Sequence, residues 1–156
     1  MTNETFFNME VQPKSLLVVG PGVIGVELAQ AMQRLGTSVT LLGRSGRVLH
    51  KEDEDHAALI QNSLQRDGVK LKLFVSEYIS VKLTGNVLDN GLPEISFTFR
   101  EIVNGENTIT TMLINALLIA TGRRPNVTGK STEFFLIYAE VGRKLIHIYL
   151  QEWIWN

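Results

Sequence analysis

The sequence predicts a three-layer α/β sandwich: a parallel sheet with helices on its faces and a β-meander added to it. Three observations predict this. Short apolar runs bounded by turn residues alternate with helix-periodic stretches between residues 15 and 73. Two stretches of strand character, 94–102 and 107–113, flank Asn104-Gly105, a strong hairpin signal. A final apolar run, 117–120, follows the hairpin. Consecutive parallel strands need crossover connections, so the order β-α-β-α-β, meander, β implies a parallel sheet with covering layers.

Each element has its own reason. Ser15 to Val19 is an apolar run between Pro13 and Gly20, as a buried parallel strand should be. Val23 to Leu35 carries apolar residues at helical spacing and stops before Gly36, a C-terminal cap residue. Val39 to Leu42 is a second buried strand. Glu52 to Arg66 opens on Glu52, Asp53, Glu54 and Asp55, and negative charge suits the positive end of a helix dipole. Val69 to Leu73 alternates apolar residues with lysine, the pattern of a half-exposed strand. In the hairpin, alternating Phe97 and Phe99 are expected to cover the sheet.

Composition narrows the function classes. The chain has 156 residues, 44% of them hydrophobic and 20% charged, which is globular composition with room for one domain and a piece. Net charge is −1 and no basic stripe exists, so nucleic acid is not an expected partner. There is no cysteine, so this chain can perform no thiol or dithiol chemistry and hold no thiolate metal site. His50, His56 and His147 are scattered without companion ligands, so no metal is expected. Ser45 and Ser63 belong to no nucleophile-base set and read as structural. No apolar run is long enough to span a membrane and the N-terminus lacks signal-peptide character. The expected compartment is the cytoplasm, or an organelle if a targeting segment has been lost.

The chemistry-bearing motif is Gly20-Pro21-Gly22-Val23-Ile24-Gly25, between the first strand and the first helix. Gly20 permits the tight turn, Gly22 lets a pyrophosphate approach bare backbone, and Gly25 lets helix and strand pack closely. Unpaired N–H groups at the helix start attract the anion. Strand, turn, helix and second strand together define a Rossmann-like domain. Eighteen residues after Gly25, where NAD-binding domains carry an acid, stands Gly43, followed by Arg44, Ser45, Gly46 and Arg47. Loss of the carboxylate and gain of two guanidiniums favour a 2′-phosphate, hence NADPH over NADH.

Three segments together, 20–36, 38–49 and 120–126 (ATGRRPN), resemble the pyridine-nucleotide domain of the flavin-dependent disulfide reductases. This is the pyridine nucleotide-disulfide oxidoreductase family, and the stretch 27–45 is most similar to its mercuric reductase and dihydrolipoamide dehydrogenase-like members. The resemblance implies hydride transfer from NAD(P)H to FAD and onward to a disulfide or metal ion. It also implies roles for individual residues. Gly20, Gly22 and Gly25 match the dinucleotide glycines, and Arg44 the arginine that reads the 2′-phosphate. Glu27 matches a glutamate near the nicotinamide, and Gly122 a glycine close to the bound nucleotide. Val23 matches the position where some members carry a tyrosine lid over the flavin.

The resemblance divides the chain into a connector at 1–14, the nucleotide-binding domain at 15–126 and an atypical tail at 127–156. The tail holds Phe134, Phe135, Tyr138, Tyr149, Trp153 and Trp155, half of the aromatics. The family's FAD domain, redox cysteines, Gly-Asp dipeptide and dimerisation domain have no counterpart in this sequence. The expected partners are therefore NAD(P)H and a missing flavin domain or chain, with FAD bound only in the complete family enzyme. The expected function is thus the NADPH-binding part of a flavoprotein reductase, with the chain expected to be truncated and inactive alone. The alternative is a stand-alone nucleotide-binding regulatory module that docks through residues 130–156, where the alternating segment 145–150 could add an edge strand.

Overall fold

A computed structural model describes residues 1–88 and 90–122, together with the backbone of residues 136–141 and 144–149. The chain divides into two compact units, Met1–Gly122 and Arg123–Asn156. The expected domain limit at residue 126 and the start of the tail at 127 lie outside the described residues.

In the first unit, β1 (Ser15–Val19) is followed by α2 (Val23–Arg34), β2 (Ser38–Leu42), α3 (Glu54–Arg66) and β3 (Lys70–Lys72); a short α1 (Asn3–Phe6) precedes them. The long β4 (Val75–Val87), β5 (Pro93–Val103) and β6 (Glu106–Ile114) come next, and β7 (Ala116–Ile119) closes the unit. The parallel sheet has the order β3-β2-β1-β7, and β4-β5-β6 form an antiparallel meander.

The pleat of β1 builds the three layers. Leu16 and Val18 point to one face, among Val26, Ala29 and Met32 of α2 and Leu64 of α3. Leu17 and Val19 point to the other, among Val75, Phe97, Phe99 and Ile114 of the meander. Both helices therefore share one face of the sheet, and the meander covers the second. Phe97 and Phe99 are the covering residues that their alternation predicts.

The hairpin turns at Asn104-Gly105, both with positive φ (53° and 85°), the geometry that this dipeptide favours. α3 starts two residues later than its acidic run suggests, because Asp53 is the cap: Oδ1 accepts from the N–H groups of Asp55 and His56. Residues 1–14, expected as a connector, pack onto the domain. Phe6 is buried in the helix-side core, and Met1 brackets β7 through its ammonium to Leu117 O (2.7 Å) and its carbonyl from Ile119 N (3.0 Å).

α2 and α3 are tied by Asp67, just past α3, which accepts from Gln30 Nε2 and Arg34 Nε, both at 2.7 Å. These bonds, Gln30's first, hold the Asp67 carboxyl below the usual carboxylate range. In the second unit, β8 (Leu136–Val141) pairs antiparallel with β9 (Lys144–Tyr149), so most of the alternating segment 145–150 is a strand whose neighbour is β8. The rest of the expected tail lies outside the described residues. Among the described residues no helix is long and apolar enough to cross a membrane.

Candidate functional site

The candidate site lies where β1, β2 and β7 end. In an open α/β sheet, ligands bind in the crevice outside the carboxyl ends of the strands, where neighbouring connections diverge. Here β1 leads to β2 on one side, while the chain reaches β7 on the other only after the whole meander.

The glycine turn is built by backbone contacts. Gly20 adopts φ 112°, and a Cβ there would stand 2.5 Å from the Ala120 carbonyl oxygen. A Cβ on Gly25 would overlap the Gly20 carbonyl oxygen. These two glycines are therefore required by the fold itself. Gly22 differs: its φ is −81°, and a Cβ there would meet nothing within 4 Å. The protein does not need a glycine at 22, so the bare backbone remains available to a ligand. Gly22 is the N-cap of α2 and makes no side-chain cap bond; the first intrahelical bond is Val26 N to Gly22 O at 2.9 Å. The N–H groups of the first turn thus face outward without a side-chain cap, as an anion site requires. Val23 on this turn is exposed and Ile24 half-buried.

The loop after β2 folds against this turn. Leu49 N donates to Pro21 O at 2.8 Å, and Gly43 N to Lys72 O at 2.9 Å. A Cβ on Gly43 would stand 2.7 Å from Pro21 Cγ and 3.0 Å from Leu73 Cδ2, so any side chain at 43 would press on the neighbouring turn.

The two loop arginines have different surroundings. The Arg47 guanidinium donates to the main-chain carbonyls of Leu49 (3.4 Å), His50 (3.1 Å) and Glu52 (3.1 Å from each Nη). Ser45 Oγ donates to Arg47 O at 2.9 Å. Arg47 and Ser45 thus shape the loop. Arg44 is exposed, with its guanidinium carbon 5.5 Å from the centre of the Tyr78 ring.

A cavity of about 660 Å³ opens beside the turn. Its floor is Val19, Gly20 and Pro21; Arg44, Ser45 and His50 come from the β2 loop, Tyr78, Val81 and Phe97 from the meander, and Ile119 and Thr121 from the end of β7. Burial pushes the Tyr78 phenol above its usual range, while the charge of Arg44 and hydrogen bonding to it act the other way.

Of the residues expected at the site, Gly20, Pro21, Arg44 and Ser45 meet in this cavity; Arg47 braces its loop from outside the lining. Glu27 is exposed on α2 and Gly122 exposed after β7, both outside the lining. His50, Tyr78 and Thr121 line the cavity without having been expected there. His50 stands six positions after Arg44, close enough in the chain to have drawn attention to it. Tyr78 lies on a strand missing from the sequence reading, although Ile79, Val81 and Leu83 alternate with polar residues just after it.

The family described as Pyridine nucleotide-disulphide oxidoreductase matches residues 1–133. Among curated relatives, a glutathione reductase from Nostoc sp. is 29% identical, covering 85% of this chain and 26% of the relative. A mercuric reductase from Lysinibacillus sphaericus is also 29% identical, covering 87% of this chain and 25% of the relative. The chain thus spans about a quarter of the length of these relatives. Among solved structures, the HOCl-induced flavoprotein disulfide reductase RclA from Escherichia coli superposes with a TM-score of 0.64 at 26% identity, over 80% of this chain and 25% of that one. An engineered water-forming NADPH oxidase bound to NADPH gives a TM-score of 0.57 at 25% identity, over 75% of this chain and 23% of that one. Its description records consecutive replacements of aspartate, alanine and methionine by alanine, arginine and serine.

Proposed function

The chain belongs to the pyridine nucleotide-disulphide oxidoreductase family, and we propose that it serves there as the module that holds NADPH for an FAD-dependent reductase. One observation carries this reading: a first-turn backbone left bare at Gly22, with the unacidic loop Gly43-Arg44-Ser45 beside the adjoining cavity. The pyrophosphate would lie against the N–H groups at the start of α2, and the adenosine 2′-phosphate would take charge-assisted bonds from Arg44. The engineered NADPH oxidase supports the preference, because its replaced run ends in the same arginine-serine pair after a residue that carries no charge.

Bound nicotinamide would supply a hydride. In this reading FAD and the disulfide belong to parts that pair with this chain, which itself contains no cysteine. The chain's own contribution is to bind and orient the nucleotide across the ends of β1, β2 and β7.

Titration of the full chain with NADPH and NADH tests the proposal. Tighter binding of NADPH is expected. Arg44→Glu should weaken NADPH about ten- to a hundredfold more than NADH, the equivalent of one charge-assisted phosphate contact of about 1.5–3 kcal/mol. No binding of either nucleotide to folded protein, or equal losses for both, would contradict it.

A further inference from the structure

Outside the glycine turn, the described cavity has one aromatic residue paired with a cation. Tyr78 stands near the start of β4, the first strand of the meander. Its ring packs edge-on to Phe97, with centroids 6.1 Å apart, and Phe97 is buried in the meander-side core. Tyr78 is thus anchored from behind, and it is half-buried while Arg44 is exposed.

We propose that Tyr78 is a positioning residue for NADPH selectivity: its ring holds the Arg44 guanidinium at the cavity, ready for the 2′-phosphate. This rests on the reading that the cavity takes NADPH.

The physical argument starts from the two arginines. A guanidinium has five N–H donors and a long, flexible stem. Arg47 is held in place by giving its donors to three main-chain carbonyls. Such an anchor would leave Arg44 little to offer an anion. A ring at 5.5 Å attracts the cation through its quadrupole without using an N–H donor, and the hydrogen bond that Arg44 also gives the Tyr78 phenol oxygen engages only part of its fork of five donors. The guanidinium is restrained while most of its donors stay free for a phosphate. Without the ring, the exposed side chain would have to be ordered at the moment of binding, which weakens binding about two- to tenfold per immobilised long side chain. That cost falls on NADPH alone, because NADH has no 2′-phosphate for Arg44 to meet.

The main alternative role for Tyr78 is stacking on the adenine, and adenine is common to both nucleotides. The NADPH:NADH affinity ratio separates the two roles and cancels any general damage to the site. The full chain is titrated with both nucleotides as wild type, Tyr78→Met, Tyr78→Leu and Tyr78→Phe. Met and Leu keep apolar bulk against Phe97 without a π face, whereas Phe keeps the face without the hydroxyl. The expected result is a ratio reduced about two- to tenfold in the Met and Leu variants and retained in Tyr78→Phe. A wild-type preference for NADPH that survives unchanged in Tyr78→Met or Tyr78→Leu would overturn the inference and leave the functional reading standing. A wild-type ratio near one would overturn the functional reading itself.

A measurement on the unaltered chain guards against variants that fail to fold. Side-chain protons of Arg44 near the ring face should resonate upfield of ordinary arginine positions, and ordinary positions would overturn the inference.

Discussion

Replacing Gly22 with alanine should weaken the binding of both nucleotides while leaving the fold intact. The structure gives both halves of the expectation. A methyl group at 22 meets nothing within 4 Å, and the backbone there already lies at φ −81°, open to any residue. Alanine is a poorer N-cap than glycine, but it also restricts the unfolded chain by about 0.4–1 kcal/mol. These effects oppose each other, so the net change in stability should stay within about 0.5 kcal/mol. The same methyl group projects into the space where the pyrophosphate would meet the first turn, and both NADPH and NADH should lose at least about tenfold in affinity, or 1.4 kcal/mol.

Gly25→Ala is the contrasting control. Its Cβ would overlap the Gly20 carbonyl oxygen, an atom of the turn that cannot swing aside as a flexible side chain could. Overpacking of this kind costs about 1–3 kcal/mol, and the rigid partner argues for the upper end. Urea unfolding of the two variants alongside wild type, with nucleotide titration by fluorescence, reads both quantities. If Gly22→Ala is as destabilised as Gly25→Ala, or binds both nucleotides like wild type, the division of roles among the three glycines is wrong.

Two further perturbations have defined outcomes. Arg47→Ala should weaken NADPH and NADH by similar factors, since Arg47 braces the loop through the Leu49, His50 and Glu52 carbonyls; a loss confined to NADPH in the same titration would instead place Arg47 on the phosphate. The Asp67 carboxyl lies below its ordinary 3.8 in the folded chain, so the stability it contributes is present above the unfolded value and is lost as pH falls through the folded one. Asp67→Asn should therefore lower the urea midpoint at neutral pH, with the gap to wild type closing as the medium is acidified below about pH 4; a gap that stays constant down to pH 2 would contradict this.

Much of the fold could be read from the sequence because its signals are local. The apolar run Leu16 to Val19, the Gly36 stop after α2 and the Asn104-Gly105 turn each express one dominant physical preference. β4 has a local signal that the sequence reading leaves unused: Ile79, Val81 and Leu83 alternate with Ser80, Lys82 and Thr84. The alternation is short and is followed by Gly85-Asn86, and pairing with β5 extends the strand over 75–87.

The candidate site divides in the same way. The glycine turn and Arg44 are legible because their spacing carries the mechanism. Tyr78 is not, since an alternating strand shows no cavity at its end and only the fold brings Tyr78 beside Arg44. Spacing also treats Arg44 and Arg47 alike, while their geometry separates a guanidinium bound to carbonyls from one placed over a ring.

The most direct test of the account follows backbone amide resonances of the full chain during titration with NADPH and, separately, NADH. The account predicts that the amides of Gly22, Val23 and Ile24 shift with both nucleotides, while Arg44 responds to NADPH far more than to NADH. Nucleotide binding that leaves the amides of Gly22 to Ile24 unmoved would contradict it.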